Sequence, residues 1–333
     1  MLRIAVIDDY MRVVADAADW ASLQAVGSID FYHDHLIDED QLVARLSAYD
    51  VIVAERERTP FPASLFARLP RLKLLVATGI DNWVIDFAAA ARHGVVISCT
   101  GSVMAAMPEL AWGLILSLSR RITWDHIQIR AGGWQTQPGR PLQGATLGIL
   151  GLGVAGKRML DISRAFGMKT VAWSQNLSAE AAQAAGTQRV EFDELLRSAD
   201  VITIQLVLSE RTRGLIGARE FGLMKRDALL VNTSRGPIID EAALIDALKT
   251  RRIGGAGLDV YAREPLPRDH PLRSLDNVVL TPHTGYITEQ QVRVFYGQAV
   301  ENIIAFARGT PMRVMTAPYS AELKKQLSTD RRD

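Results

Sequence analysis

Short, β-branched apolar runs alternate with amphipathic stretches along the first hundred residues. Ile4 to Ile7, Val51 to Ala54, Leu72 to Ala77 and Val95 to Ser98 are nearly unbroken apolar runs and read as strands buried on both faces. Between them, Val13 to Ala21, Asp38 to Ser47, Pro62 to Arg68 and Trp83 to His93 each carry apolar residues on one helical face. This alternation predicts a parallel sheet with helices on both sides. From about Ala105 to Arg121 the chain is apolar enough for a core helix or one packed between domains or subunits. Pro108 falls near its first turn, where a missing N–H costs nothing. The glycine- and proline-rich AGGWQTQPGRPLQG that follows marks a loop.

A second alternating region begins with a strand at Thr146 to Leu150. It continues with strands near Thr170 to Trp173, Val201 to Ile204, Ala228 to Val231, Gly255 to Leu258 and Val278 to Leu280. Helical stretches separate the earlier strands, among them Glu241 to Lys249 behind the cap residue Asp240. An amphipathic helix, Glu289 to Arg308, follows Pro282, and the chain ends in the polar stretch QLSTDRRD. The pattern describes an α/β protein with two doubly wound parallel sheets, in keeping with a length of 333 residues.

Composition narrows the function. Lys plus Arg (38) balances Asp plus Glu (37), so no broad field of one sign favours nucleic acid or an anionic membrane as partner. No apolar run approaches the ~20 residues of a bilayer span. Cys99 is the single cysteine, which rules out a disulfide framework, and MLRIAVIDDY lacks the layout of a signal peptide, so the cytoplasm is expected.

Candidate chemistry starts at Gly151, where the strand LGIL runs into GLGVAG. Gly151, Gly153 and Gly156 hold the G-x-G-x-x-G spacing and a helix follows. The first glycine allows a tight turn, the second lets backbone approach a pyrophosphate, and the third allows close helix–strand packing. Val154 and Ala155 then present amides at the helix N-terminus. A dinucleotide is the implied ligand. At the end of the next strand, where an NAD site usually carries an acid for the ribose 2′-OH, the chain reads Ser174-Gln175-Asn176. With no carboxylate to repel a 2′-phosphate, NAD(P) is expected, NADP(H) slightly favoured over NAD(H).

Arg235 in VNTSRGPIID, Glu264 in GLDVYAREPLP and His283 in NVVLTPHTGY each lie after a predicted strand, where ligands gather in open parallel sheets. Hydride transfer to a 2-oxo acid needs a cation for the carboxylate and carbonyl and a proton donor for the emerging alkoxide. Arg235 and His283 supply both, and a carboxylate such as Glu264 would orient the imidazole and stabilise its protonated form.

These segments, in this order, resemble the D-isomer-specific 2-hydroxyacid dehydrogenase family from Arg3 to about Val314. The resemblance implies that Arg235 binds substrate, His283 is the acid/base and Glu264 its partner. It also implies cofactor contacts at Thr233, Ser234, Asp259 and Gly285 toward the nicotinamide, and at Leu206, Val207 and Thr212 toward the adenosine. Arg56 and the turn Thr78-Gly79-Ile80-Asp81 resemble the substrate-facing loops of the other domain. By the same implication, residues 1–100 with 287–333 form a discontinuous substrate domain, and 101–286 form the inserted NAD(P)-binding domain. A cleft between them closes about Ser98 to Ser102 and Thr284 to Thr288, and the long helix and AGGW loop form a homodimer contact. Two places depart from the family: Gln205-Leu206-Val207 replaces its usual His-x-Pro, and Met107-Pro108-Glu109 its Val-Ala-Glu.

Other candidates carry less. His33-Asp34-His35 suggests a metal, but no further ligand cluster is evident and a solvated loop is expected; no metal is assigned. Cys99 reads as a packing residue, and His93, His126 and His270 as solvent-facing. The paired acids of VIDD suggest a phospho-acceptor receiver domain, which fails for want of a third aspartate in VIVAERER. A dinucleotide-sensing binding protein, like the corepressors related to this family, is the non-enzymatic alternative, and turnover of a 2-oxo acid separates the two.

Overall fold

The computed structural model describes residues 1–80, 82–102 and 106–318. Over these, the chain divides into two compact units, Met1–Val103 with Ile287–Asp333, and Met104–Tyr286. Asp81, Ala105 and the polar stretch QLSTDRRD lie outside the described residues.

The first unit is built on five parallel strands, β1 (Leu2–Val6), β2 (Gly27–Phe31), β3 (Val51–Ala54), β4 (Leu74–Ala77) and β5 (Val96–Cys99), in the order β2-β1-β3-β4-β5. Every residue of β3 and β4 is buried, as their unbroken apolar runs require. The sequence reading missed β2, GSIDF, because it is an edge strand whose Ser28 and Asp30 are exposed. Helix Glu39–Leu46 starts at Asp38, whose carboxylate accepts the Gln41 amide at 2.9 Å. The expected helix Val13 to Ala21 is a short turn, Val14–Ala17, followed by the 3-10 segment Trp20–Leu23, because the chain extends at Ala18. The indole of Trp20 then donates to the Val14 carbonyl at 2.8 Å. Helix Glu289–Ala307 packs in this unit through Phe295, Tyr296, Ala299 and Ile303. Its Asn302 amide donates to the Cys99 carbonyl at 2.8 Å.

The second unit carries seven parallel strands: β6 (Thr146–Leu150), β7 (Lys169–Trp173), β8 (Gln188–Arg189), β9 (Val201–Ile204), β10 (Leu229–Asn232), β11 (Gly255–Leu258) and β12 (Val278–Leu280). Their order is β12-β11-β10-β9-β6-β7-β8, so the winding direction reverses between β6 and β9. A ligand crevice is expected at that reversal, outside the carboxyl ends of the strands. Helix Ala106–Arg120 is a core element of this unit, with Ala111, Leu114, Ile115 and Leu118 packed among Leu147, Ile149 and Val231. Trp112 stacks on Phe166 at 5.0 Å. Arg121 turns left-handed (φ +57°), and a further helix, Ile122–Arg130, begins. None of its residues is buried, so it has no apolar periodicity by which the sequence could announce it.

Candidate active site

The turn after β6 is shaped by its glycines. Gly151 has φ +100°, and a Cβ there would lie 2.6 Å from the Gln205 carbonyl oxygen; one on Gly156 would lie 2.0 Å from the oxygen of Gly151. Both positions are closed to a side chain by the fold itself. Gly153 differs: no protein atom lies within 4 Å of where its Cβ would be, at the N-terminus of helix Val154–Ala165. Val154 and Val207 stand 67% and 71% exposed on either side of the β6–β9 reversal, apolar surface that an adenosine and pyrophosphate would cover. The residues present therefore fit a dinucleotide. Thr212 fastens the loop after β9, its hydroxyl donating to the Val207 carbonyl at 2.8 Å, and the Ser234 hydroxyl donates to the carbonyl of Leu206.

After β7, Ser174 and Gln175 sit in a turn closed by the Leu177 amide on the Ser174 carbonyl at 3.1 Å. β8 lies beside β7 and brings Arg189 under the turn, where Nε donates to the Leu177 carbonyl at 2.9 Å and Nη1 pairs with Glu191 at 2.6 Å.

Three further strand ends converge in this unit. After β10, the buried Asn232 clamps its turn, accepting the Ser234 amide at 3.0 Å and donating to the Arg235 carbonyl at 3.0 Å. The Thr233 hydroxyl donates to Met107 Sδ at 3.1 Å, so the departure at Met107 touches a residue of the expected nicotinamide end. After β11, Asp259 is buried; its carboxylate accepts the Thr281 hydroxyl at 2.6 Å and the amides of Thr284 and Gly285 at 2.8 Å each. A Cβ on Gly285 would lie 2.9 Å from that carboxylate. The Tyr261 phenol, pushed well above its ordinary pKa by burial and then by the charges of Asp259 and Glu264, stays protonated. It reaches the carbonyls of Leu258 at 3.1 Å and Thr281 at 2.9 Å.

His283 follows β12 with left-handed backbone (φ +54°). Its Nδ1 lies 2.5 Å from Glu264 Oε2, while Glu264 Oε1 accepts the Tyr261 amide at 2.9 Å. Burial alone would raise the Glu264 carboxyl. The His283 hydrogen bond and charge, the Tyr261 amide and the Arg235 guanidinium outweigh it and hold the group below the usual carboxylate range. An ionised carboxylate only accepts, so Nδ1 carries a proton and Nε2 is the nitrogen left to exchange one.

The sequence profile of the D-isomer specific 2-hydroxyacid dehydrogenase NAD binding domain matches residues 112–285. The chain belongs to this family. It is a 2-hydroxyacid dehydrogenase that uses a nicotinamide dinucleotide. It is 39% identical to the glyoxylate reductase of Aeropyrum pernix over 257 residues, 74% of this chain and 76% of that one. It is 34% identical to the glycerate dehydrogenase of Methylorubrum extorquens over 317 residues, 90% and 98% of the two chains. The crystal structure of a phosphoglycerate oxidoreductase from Vibrio cholerae O395 superposes with a TM-score of 0.88 at 35% identity, covering 93% of this chain and all of that one. Of the D-3-phosphoglycerate dehydrogenases of Archaeoglobus fulgidus and Methanocaldococcus jannaschii, the dehydrogenase spans little more than half the length, 53% and 56%.

In the first unit the expected substrate residues meet one another. Arg56 (φ +53°) donates its amide to the Thr78 hydroxyl at 2.9 Å, and its Nη1 fills the place of a Cβ on Gly79, 2.1 Å from where that atom would be. Ile80 beside them is buried, and Asp81 lies outside the described residues. His33-Asp34-His35 is a loop with Asp34 exposed, as expected, but its two histidines are paired rather than solvated. His35 packs against Asp8, Nδ1 to Oδ1 2.8 Å, and His33 lies 3.2 Å from Asp9, because β2 sets its end beside the acids that follow β1. Among the described residues no group of such side chains is arranged to hold a metal. His270 is likewise paired rather than solvent-facing, 3.1 Å from Glu241. No described helix is long and apolar enough to cross a membrane.

Proposed function

We propose that this dehydrogenase reduces a small 2-oxo acid to the D-2-hydroxy acid, with His283 as proton donor, Glu264 as its partner and Arg235 as the group that binds the substrate carboxylate and polarises its carbonyl. The observation that carries this is the 2.5 Å His283–Glu264 pair at the carboxyl ends of the sheet whose glycine turn fits a dinucleotide. When bound, the nicotinamide supplies the hydride that reaches C2. Glu264, held ionised, keeps Nδ1 protonated and turns Nε2 toward the carbonyl oxygen, which receives the Nε2 proton as its negative charge develops. Arg235 offsets that charge and fixes the acid's orientation. Asp259, Thr233, Ser234 and Gly285 shape the nicotinamide end. Gly151, Gly153, Val154, Ala155 and Gly156 take the pyrophosphate, and Leu206, Val207 and Thr212 the adenosine. Arg56, Gly79 and Ile80 contact the acid from the first unit.

For the cofactor we infer NAD(P), with NADP(H) slightly favoured. Ser174 and Gln175 present hydrogen-bond donors and no carboxylate. A homodimer in the cytoplasm completes the reading. Ile122, Ile127, Ile129 and Trp134 expose their apolar side chains along one helix and the loop after it, a surface a second copy would cover. Chiral chromatography of the product tests the reaction: the D-isomer is expected, and the L-isomer or a racemate contradicts it.

A further inference from the structure

Beyond the carboxyl ends of β3 and β4, the first unit passes from backbone pairing to pairing by side chains. The Thr78 amide donates to the Ala54 carbonyl at 3.0 Å, one step past the pairing of Ala54 with Ala77. The Thr78 hydroxyl then accepts the Arg56 amide at 2.9 Å, and at the other end of that residue the Arg56 carbonyl accepts Asn82 Nδ2 at 2.8 Å. Thr78 and Asn82 are both fully buried, and the residue they hold between them is left-handed, φ +53°. A long side chain rarely adopts that backbone without such support. Released, Arg56 would return to extended or right-handed backbone, and its guanidinium would leave its place against Gly79.

The holders are themselves fixed. Asn82 Oδ1 accepts the Val84 amide at 3.2 Å, and the Asn82 amide donates to the Pro318 carbonyl at 3.0 Å. The segment ending at Pro318 is tied in turn to β5 by the Met315 amide, which donates to the Ile97 carbonyl at 2.8 Å. From the end of β5 the buried Thr100 hydroxyl accepts the Gly79 amide at 2.9 Å. Buried polar side chains must be partnered, and here the partners are backbone groups of Arg56 and Gly79, two of the three residues expected to face the acid from this unit. Thr78 and Asn82 are too deeply buried to touch a ligand, so any effect they have on it runs through Arg56.

We propose that Thr78 and Asn82 are positioning residues for the 2-oxo acid: by holding both ends of Arg56 they keep its side chain over the Gly79 turn, and loss of either weakens binding of the acid. This rests on the reading that Arg56 contacts the acid. Initial rates are measured with whichever of glyoxylate, pyruvate, hydroxypyruvate and phenylpyruvate the unaltered protein reduces fastest, and thermal melts check that each variant is folded. Thr78→Val keeps the shape and removes the hydroxyl, whereas Thr78→Ser keeps the hydroxyl and removes a methyl. Asn82→Ser removes the donor to Arg56 and leaves an oxygen for the Val84 amide. Thr78→Val and Asn82→Ser should each raise KM about three- to tenfold, with kcat and cofactor affinity changed far less, while Thr78→Ser stays within about twofold of the unaltered protein. Should Thr78→Val fail to fold, Asn82→Ser against Thr78→Ser carries the same comparison. A KM raised as much in Thr78→Ser as in Thr78→Val shows packing in place of positioning and overturns the proposal, as does a loss that falls on kcat instead of KM. Arg56→Ala separates the two ways of failing. A raised KM there beside unaltered values in Thr78→Val and Asn82→Ser sinks the proposal alone; a KM equal to that of the unaltered protein, or turnover of no acid, removes the underlying reading and the proposal with it.

Discussion

Asp259 holds His283 from both ends of its own residue. The Asp259 carbonyl accepts the His283 amide at 2.8 Å, while the carboxylate accepts the amides of Thr284 and Gly285, the two residues that follow the histidine, at the same distance. Left-handed backbone at a non-glycine residue costs roughly 1–3 kcal/mol, and these bonds are what offset it at His283.

Asp259→Asn therefore disrupts the loop without changing its volume. An amide nitrogen cannot accept, so at least one of Thr281, Thr284 and Gly285 loses its partner. The expected destabilisation is about 1–3 kcal/mol by chemical denaturation, together with a fall in turnover. Unchanged stability would show that the carboxylate does not organise the loop.

Glu264 ties stability to pH. Its carboxyl is held below the ordinary range, chiefly by His283 once the opposing effect of burial is overcome, so its contribution is fully present above the unfolded carboxylate pKa. It is lost as pH falls through the folded value. The difference in unfolding free energy between the unaltered protein and Glu264→Gln should shrink as the pH falls through the acid range. It should be modest, since the side chain is about a third exposed (32%). A difference that grows on acidification would reverse the assigned direction.

The glycines of the cofactor turn separate folding from binding. Gly156→Ala drives a methyl into the Gly151 carbonyl and should lower the melting temperature, at a cost of about 1–3 kcal/mol or more. Gly153→Ala meets no protein atom, so stability should hold while dinucleotide affinity, read by fluorescence titration, falls by about tenfold or more. Equal affinity in Gly153→Ala would remove the pyrophosphate from that turn.

Much of this could be read from the chain because a parallel sheet covered on both faces writes each inner strand as an unbroken apolar run, as in Val51 to Ala54 and Val201 to Ile204. Arg235, Glu264 and His283 then stood out as polar residues just past such runs. Less came through where burial is incomplete. β2 mixes exposed and half-buried positions, β8 is two residues long, and Ile122–Arg130 buries nothing. The work of Asp259 was hidden for another reason. Its partners lie 22 to 26 positions on, and only the parallel pairing of β11 with β12, Leu258 opposite Leu280, brings Thr281, Thr284 and Gly285 within reach. The pairing of His33 and His35 with Asp9 and Asp8 likewise needs β2 to lie beside β1.

The most direct measurement is the oxidation of NADPH and NADH, followed by absorbance, by a panel of 2-oxo acids, with the unaltered protein and His283→Ala side by side. The account predicts turnover of at least one acid by the unaltered protein, a loss of roughly 10²-fold or more in His283→Ala, and nearly equal cofactor affinity in the two. Equal turnover by both proteins, or cofactor binding with no turnover of any acid, would contradict it.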